Sequence, residues 1–309
     1  MSAAQQYLRP ELLASVSRLD LRARFIVQGY MAGLNRSVIH GASVEFAEHR
    51  RYAPGDDVRL IDQNVLARTD RLFIRTYRAE TNLDCHLLVD TSASMDWPPA
   101  ELADRQDHLT KGQYAITLAA ALGYLLVRQQ DRVGAACLTP LLGRQLAPRT
   151  GRRQLAAILS VLSAELHASR AAQAGAETDL AEGLAQFSAG LRRRGMVVLL
   201  SDLLADPAGV IRQLTALRLA GHDVLVMQIL DRLEVEFPFD GTLRLVDPES
   251  GSVVEAEPSV IRRGYREAMA AHIEAFRTGL RGIRADFLQV RTDMRFDVAL
   301  GEFLRPRGR

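Results

Sequence analysis

One alternation restricts the fold more than any other feature. From residue 83 onward, short apolar runs of strand length are separated by longer segments with helical periodicity. Residues 84–90, 132–138, 196–200 and 223–230 read as strands, and 110–129, 152–166, 179–193 and 207–220 as helices. The run Met196-Val197-Val198-Leu199-Leu200 contains no polar residue, as expected of a strand covered on both faces. Thr110 is placed to cap a helix striped by Tyr114, Leu118, Leu122 and Leu125, and another helix starts at Pro207 and stops at Gly221. Parallel neighbours need a crossover connection, so this pattern calls for an α/β fold with a mostly parallel sheet flanked by helices. Three additions follow. Residues 144–147 lie close enough to 132–138 to form a hairpin with it. Residues 243–254 read as a hairpin inserted at about 236–257. A long amphipathic helix at 259–280, a strand at 285–291 and a helix at 296–304 close the chain.

The first 82 residues differ. Residues 10–34 have helical spacing, 44–48 and 72–77 alternate like strands, and Tyr52-Ala53-Pro54-Gly55-Asp56-Asp57 is a turn signal. The expected division is therefore a helix with a charged, β-rich extension over 1–82 and an α/β domain over 83–305. Charges of both signs interleave between Glu45 and Glu80, which fits a solvated, salt-bridged face or a surface that docks a partner.

A net charge of +2 argues against nucleic acid as the partner of Arg192-Arg193-Arg194 or of the basic tail at 305–309. The first of these reads as the C-terminus of a helix, where cations complement the dipole. Lys111 is the only lysine among 39 basic residues, attributed here to genome composition. Cys85 and Cys137 lie in strand-like runs and read as buried thiols. No signal peptide is evident at residues 1–8, and the longest apolar run, 114–127, is too short to span a bilayer. The expected location is the cytoplasm.

In an open parallel sheet, ligands gather at the C-terminal strand ends. The first strand ends in Asp90-Thr91-Ser92-Ala93-Ser94, whose alternate residues project to one side and offer three hard oxygen donors. Taken alone, the stretch is equally an Asx/Ser turn that caps the next helix. The 196–200 strand ends in Ser201-Asp202, and Thr178 stands at a helix N-terminus. Trp97, followed by Pro98-Pro99, is either an exposed rim contact or a lid on its own loop, and His86 reads as a satisfied core or face residue rather than a ligand.

Asp90, Ser92 and Ser94, then Thr178, then Asp202 resemble, in that order, the metal-ion-dependent adhesion site of the von Willebrand factor A fold. The resemblance implies a Mg²⁺ site (or Mn²⁺ or Ca²⁺) held by these five residues, with a position left open for an Asp or Glu of another protein. The stretch Phe46-Ala47-Glu48-His49-Arg50-Arg51-Tyr52-Ala53-Pro54-Gly55-Asp56-Asp57-Val58-Arg59-Leu60-Ile61-Asp62, with Ala67-Arg68-Thr69-Asp70 and Arg78-Ala79-Glu80, is similar to the signature of the bacterial domain-of-unknown-function family fifty-eight. Gln63 replaces that family's usual Trp. This second resemblance implies a MoxR-type AAA+ ATPase as partner and a chaperone-like role in assembling or activating a target protein.

The expected function is thus a non-enzymatic, metal-dependent protein-binding module. The alternative is a Mg²⁺-dependent hydrolase or phosphatase using the same site. It is disfavoured because Ser92 stands where acid phosphatases carry a second carboxylate, and no His lies in the three motifs.

Overall fold

The structure, a computed structural model, describes residues 18–37, 49–51, 72–75, 84–99, 102, 108–138, 141–168, 179–247 and 251–304. Contacts divide the chain into two units, Gly33–Asn82 and the remainder, Met1–Ala32 with Leu83–Arg309. Helix α1 (Leu19–Ser37) comes first. In the smaller unit, β1 (His49–Arg51) pairs antiparallel with β2 (Phe73–Arg75). The expected strand at 44–48, the turn at 52–57 and much of the charged block lie outside the described residues, as do the basic tail and Thr178.

The larger unit contains β3 (Asp84–Asp90), a 3₁₀ turn (Ala93–Asp96), α2 (Lys111–Arg128), β4 (Arg132–Leu138), β5 (Leu142–Arg149), α3 (Arg152–Ala168), α4 (Leu180–Ala189), β6 (Gly195–Ser201), α5 (Pro207–Leu219), β7 (Asp223–Leu230), α6 (Arg232–Glu236), β8 (Leu243–Val246), β9 (Val253–Ala256), α7 (Pro258–Gly282), β10 (Asp286–Arg291) and α8 (Phe296–Leu304). Six strands form one sheet in the order β10-β7-β6-β3-β4-β5. All neighbours are parallel except β4 and β5, which form the anticipated hairpin as an antiparallel edge. β8 and β9 form a separate antiparallel pair.

Strand periodicity explains the two cores. Leu87 and Val89 of β3 join Val198 and Leu200 of β6 on one face, beneath α2, α3, α8 and the Leu19, Ala23, Ile26 and Val27 stripe of α1. Leu88, Val197, Leu199, Val224 and Val226 face the other way, against α4, α5 and α7. Both faces of the central strands are therefore covered, as their apolar runs require.

Two expectations need correction. The helix starting at 179 ends at Ala189, with Gly190 as C-cap, and does not reach Arg193. Glycine loses the most backbone entropy in a helix, and the chain must turn here to deliver β6. Arg192-Arg193-Arg194 consequently lies in the connection before β6, not at a helix C-terminus. The short helix α6 was not anticipated, because five residues carry too little periodicity to read. His86 takes the core alternative, edge-on to Phe187 at 5.4 Å, and Cys85 and Cys137 are buried and not joined in a disulfide.

The order of strands creates a switch point. From β3 the chain crosses through α2 to β4 on one side, whereas from β6 it crosses through α5 to β7 on the other. β3 and β6 are adjacent, so the loops leaving their C-terminal ends diverge, the position at which open α/β sheets form their binding crevice.

Candidate functional site

The crevice begins with Asp90, which is 2% exposed at the end of β3. Its Oδ1 accepts the Ser92 backbone N–H at 2.9 Å, an Asx turn that bends the chain out of the sheet. Its Oδ2 accepts the Ser201 hydroxyl from the end of β6 at 2.5 Å. Ser201 Oγ in turn accepts the Leu203 N–H at 2.9 Å, and Leu203 stands in the left-handed region at φ 59°. His272 of α7 donates from Nε2 to the Leu203 carbonyl at 2.8 Å, tying this irregular turn to a helix. Across the loop, the Ser92 and Ser94 hydroxyls lie 3.0 Å apart. Thr91 anchors the loop to the end of β4 through its N–H and hydroxyl, both donated to the Leu138 carbonyl at 2.8 and 3.1 Å.

Burial, and next the nearby Asp202 charge, push the Asp90 carboxyl up to about 6, against the hydrogen bonds from Ser201 and Ser92 that favour its ionised form. Asp202 follows Ser201 and is 1% exposed. Its Oδ1 accepts the Leu204 N–H at 3.1 Å, and its backbone carbonyl accepts Gln228 Nε2 at 3.2 Å.

Lys111 supplies the balancing charge. Thr110 caps α2 as anticipated, the structure adding a capping box with Gln113, and the Lys111 N–H donates to the Trp97 carbonyl at 2.8 Å. Its fully buried Nζ donates to Asp202 Oδ2 at 2.8 Å and to Glu234 Oε1 at 2.6 Å. Burial works against the ammonium, but Asp202 and Glu234 outweigh it and hold Lys111 above its ordinary value. Glu234 is raised, chiefly by burial. Its other oxygen accepts the Asp231 N–H at 3.1 Å, and Asp231 caps α6 by accepting the Leu233 N–H at 2.8 Å. Asp231, fully buried, also accepts from the Thr292 hydroxyl and from His108 Nε2, the latter at 2.9 Å. Burial alone would raise its pKa, but these hydrogen bonds take it below the usual range.

A continuous polar row therefore crosses the strand ends, with Asp90 on β3, Asp202 after β6, and Asp231 and Glu234 after β7. Four buried carboxylates face one ammonium and one imidazole. Beside the row, Trp97 meets Phe239 edge-on at 6.5 Å, Phe239 meets Phe237 at 5.1 Å, and Phe237 meets Tyr265 at 4.5 Å. Trp97 is half-buried in this cluster, between the two roles its sequence position allowed.

Of the five residues predicted from sequence, Asp90, Ser92 and Ser94 share one loop and Asp202 ends the neighbouring strand, while Thr178 lies outside the described residues. Sequence reasoning missed Ser201, Lys111, Glu234 and Asp231. A signal existed for two of them, since Asp231-Arg232-Leu233-Glu234 has capping-box spacing. The lone lysine directly after an N-cap was another. The remaining donors suit a hard cation, because Asp90 retains unused lone pairs beside two hydroxyls and the row carries surplus negative charge. Among the described residues, no three His, Cys, Asp or Glu side chains form a metal-holding group, so any such site depends on the serines.

Residues 48–275 match the family described as "Protein of unknown function DUF58". The chain is 33% identical over 302 residues to "Uncharacterized protein Rv1480" of Mycobacterium tuberculosis, a match covering 97% of this chain and 91% of that protein. It matches "Uncharacterized protein Mb1516" of Mycobacterium bovis to the same extent. Among solved structures, the conserved hypothetical protein BatB from Bacteroides thetaiotaomicron aligns with a TM-score of 0.44 at 15% identity, over 71% of this chain and 96% of that one. No helix among the described residues is long and apolar enough to cross a membrane.

Proposed function

We propose that this chain, which belongs to the DUF58 family of proteins of unknown function, is a non-enzymatic protein-binding module that docks its partner through a dication at the β3–β6 crevice. One observation carries the reading. A buried carboxylate, two adjacent hydroxyls and a surplus of negative charge meet at the switch point of a parallel sheet. Asp90, Ser92 and Ser94 would hold the cation, with Thr178 and Asp202 as the further members of a von Willebrand factor A-type site. Bound there, Mg²⁺ would supply a positive charge able to bridge to an Asp or Glu of another protein.

The chain's own residues prepare that contact. Ser201 orients Asp90, Thr91 pins the serine loop to β4, and the Trp97–Phe239 pair walls one side of the polar row. The family resemblance makes a MoxR-type AAA+ ATPase the first partner to test, in assembly or activation of a target protein.

The test is a pull-down with the purified ATPase as bait, run in Mg²⁺ and in EDTA, with calorimetry of Mg²⁺ on the chain alone. Asp90→Ala is expected to abolish both metal uptake and capture. Equal capture in Mg²⁺ and EDTA would sink the proposal.

A further inference from the structure

We infer that Lys111 is a resident cation of the crevice that keeps Asp202 out of direct contact with a bound dication, leaving Asp90 as the one carboxylate that touches it, beside Ser92 and Ser94. The inference deepens the metal-dependent reading above and rests on it.

Asp90 accepts only from a backbone N–H and a neutral hydroxyl, whereas Asp202 is held in an ion pair. The Asp202 Oδ2 receives the Lys111 ammonium at 2.8 Å, and its Oδ1 receives the Leu204 N–H at 3.1 Å. A dication bound directly to that carboxylate would sit beside a fully buried ammonium, and in a poorly screened interior the two charges repel strongly. The lysine cannot swing away cheaply, because its Nζ is also held by Glu234 at 2.6 Å.

Nothing about local helix stability calls for a lysine here. It is the first residue of α2, where the helix dipole disfavours a cation, and lysine is almost never fully buried unless paired. A chain that otherwise uses arginine throughout places its one lysine between two carboxylates. A compact ammonium suits such a gap, where a planar guanidinium would need more room. The buried pair is also a costly way to stabilise a fold, since apolar residues of similar volume often do as well. Its value lies in charge. With Lys111 in place, the serine loop offers a dication one carboxylate rather than two, so the metal is held loosely and its outer face stays open.

The test is Mn²⁺ calorimetry on the full chain, comparing wild type with Lys111→Met/Glu234→Gln. The double variant removes one charge of each sign, so net charge is unchanged while Asp202 is released. Mn²⁺ binding at least about tenfold tighter than wild type is expected, the scale on which changes around a metal site act. Equal or weaker binding by the double variant overturns the inference while leaving the metal-dependent reading standing. Absence of Mn²⁺ uptake by both proteins overturns the two together. Asp202→Asn, which keeps the Lys111–Glu234 pair, gives an independent check. It should retain measurable Mn²⁺ binding where Asp90→Ala does not, and a loss as complete as that of Asp90→Ala would also overturn the assignment.

Discussion

His86 and Asp90 occupy the same strand, four residues apart, and burial acts on them in opposite senses. The His86 imidazole is pushed down to about 4, first by burial, then opposed by Asp84 and assisted by His222. The folded chain therefore refuses a proton that the unfolded chain accepts, and stability present above pH 6.5 is lost as pH falls toward 4. The loss amounts to about 3 kcal/mol at one pKa unit per 1.36 kcal/mol. His86→Leu, which keeps an apolar contact for Phe187, should flatten that acid limb in urea melts collected between pH 7 and 4. An unchanged pH slope would show that other groups govern it. Asp90 runs the other way. Its carboxyl, raised to about 6, contributes stability that is present below its ordinary value near 4 and lost as pH rises to 6, because ionising it in place is costly. The fold thus keeps a carboxylate whose ionisation in place is opposed by burial and by the neighbouring Asp202 charge.

At the scale of elements, close backbone approach fixes how β6 sits against β3. Gly195 opens β6 directly opposite Asp84, and a Cβ built there would lie 2.0 Å from the Asp84 carbonyl oxygen. Backbone cannot yield as a flexible side chain would, so Gly195→Ala should destabilise by about 3 kcal/mol. Gly264, exposed in the middle of α7 with nothing within 4 Å of the corresponding Cβ, should respond oppositely, with Gly264→Ala stabilising by about 1 kcal/mol. Paired denaturant titrations check both signs. A mild effect at Gly195 would mean that the β3–β6 register, and with it the Asp90–Ser201 contact, tolerates a shift. The Thr110 capping box shows how local chemistry serves the site, because it sets the first turn of α2 and so the height at which Lys111 enters the crevice.

For the whole molecule, the sheet order gathers residues far apart in the chain, and the strand-end row spans Asp90 to Thr292. A dication bound to the folded chain alone would stabilise the entire larger unit by mass action, about 2.7 kcal/mol at a hundred times its dissociation constant. The melting temperature is therefore expected to rise with Mg²⁺, return to baseline with EDTA, and stay flat in Asp90→Ala. An equal rise in that variant would place the metal elsewhere.

The amino-acid sequence by itself determined the strand and helix alternation, the parallel sheet it requires, the hairpin edge and the spacing of Asp90, Ser92 and Ser94. These depend on periodicity and on neighbours a few residues apart. It also placed Asp202 at a strand end by the same logic. Tertiary structure alone decided that Ser201 would hold Asp90, that Asp202 would be bound to Lys111, and that Glu234 would close the trio. Those contacts join residues 111, 91 and 123 positions apart in the chain. They exist because β6 and β7 pack on one side of β3 while β4 packs on the other, an order that hydrophobic patterning leaves open since each central strand is buried along nearly its whole length. A lysine read as a trace of composition becomes, once that order is set, the charge on which the crevice turns.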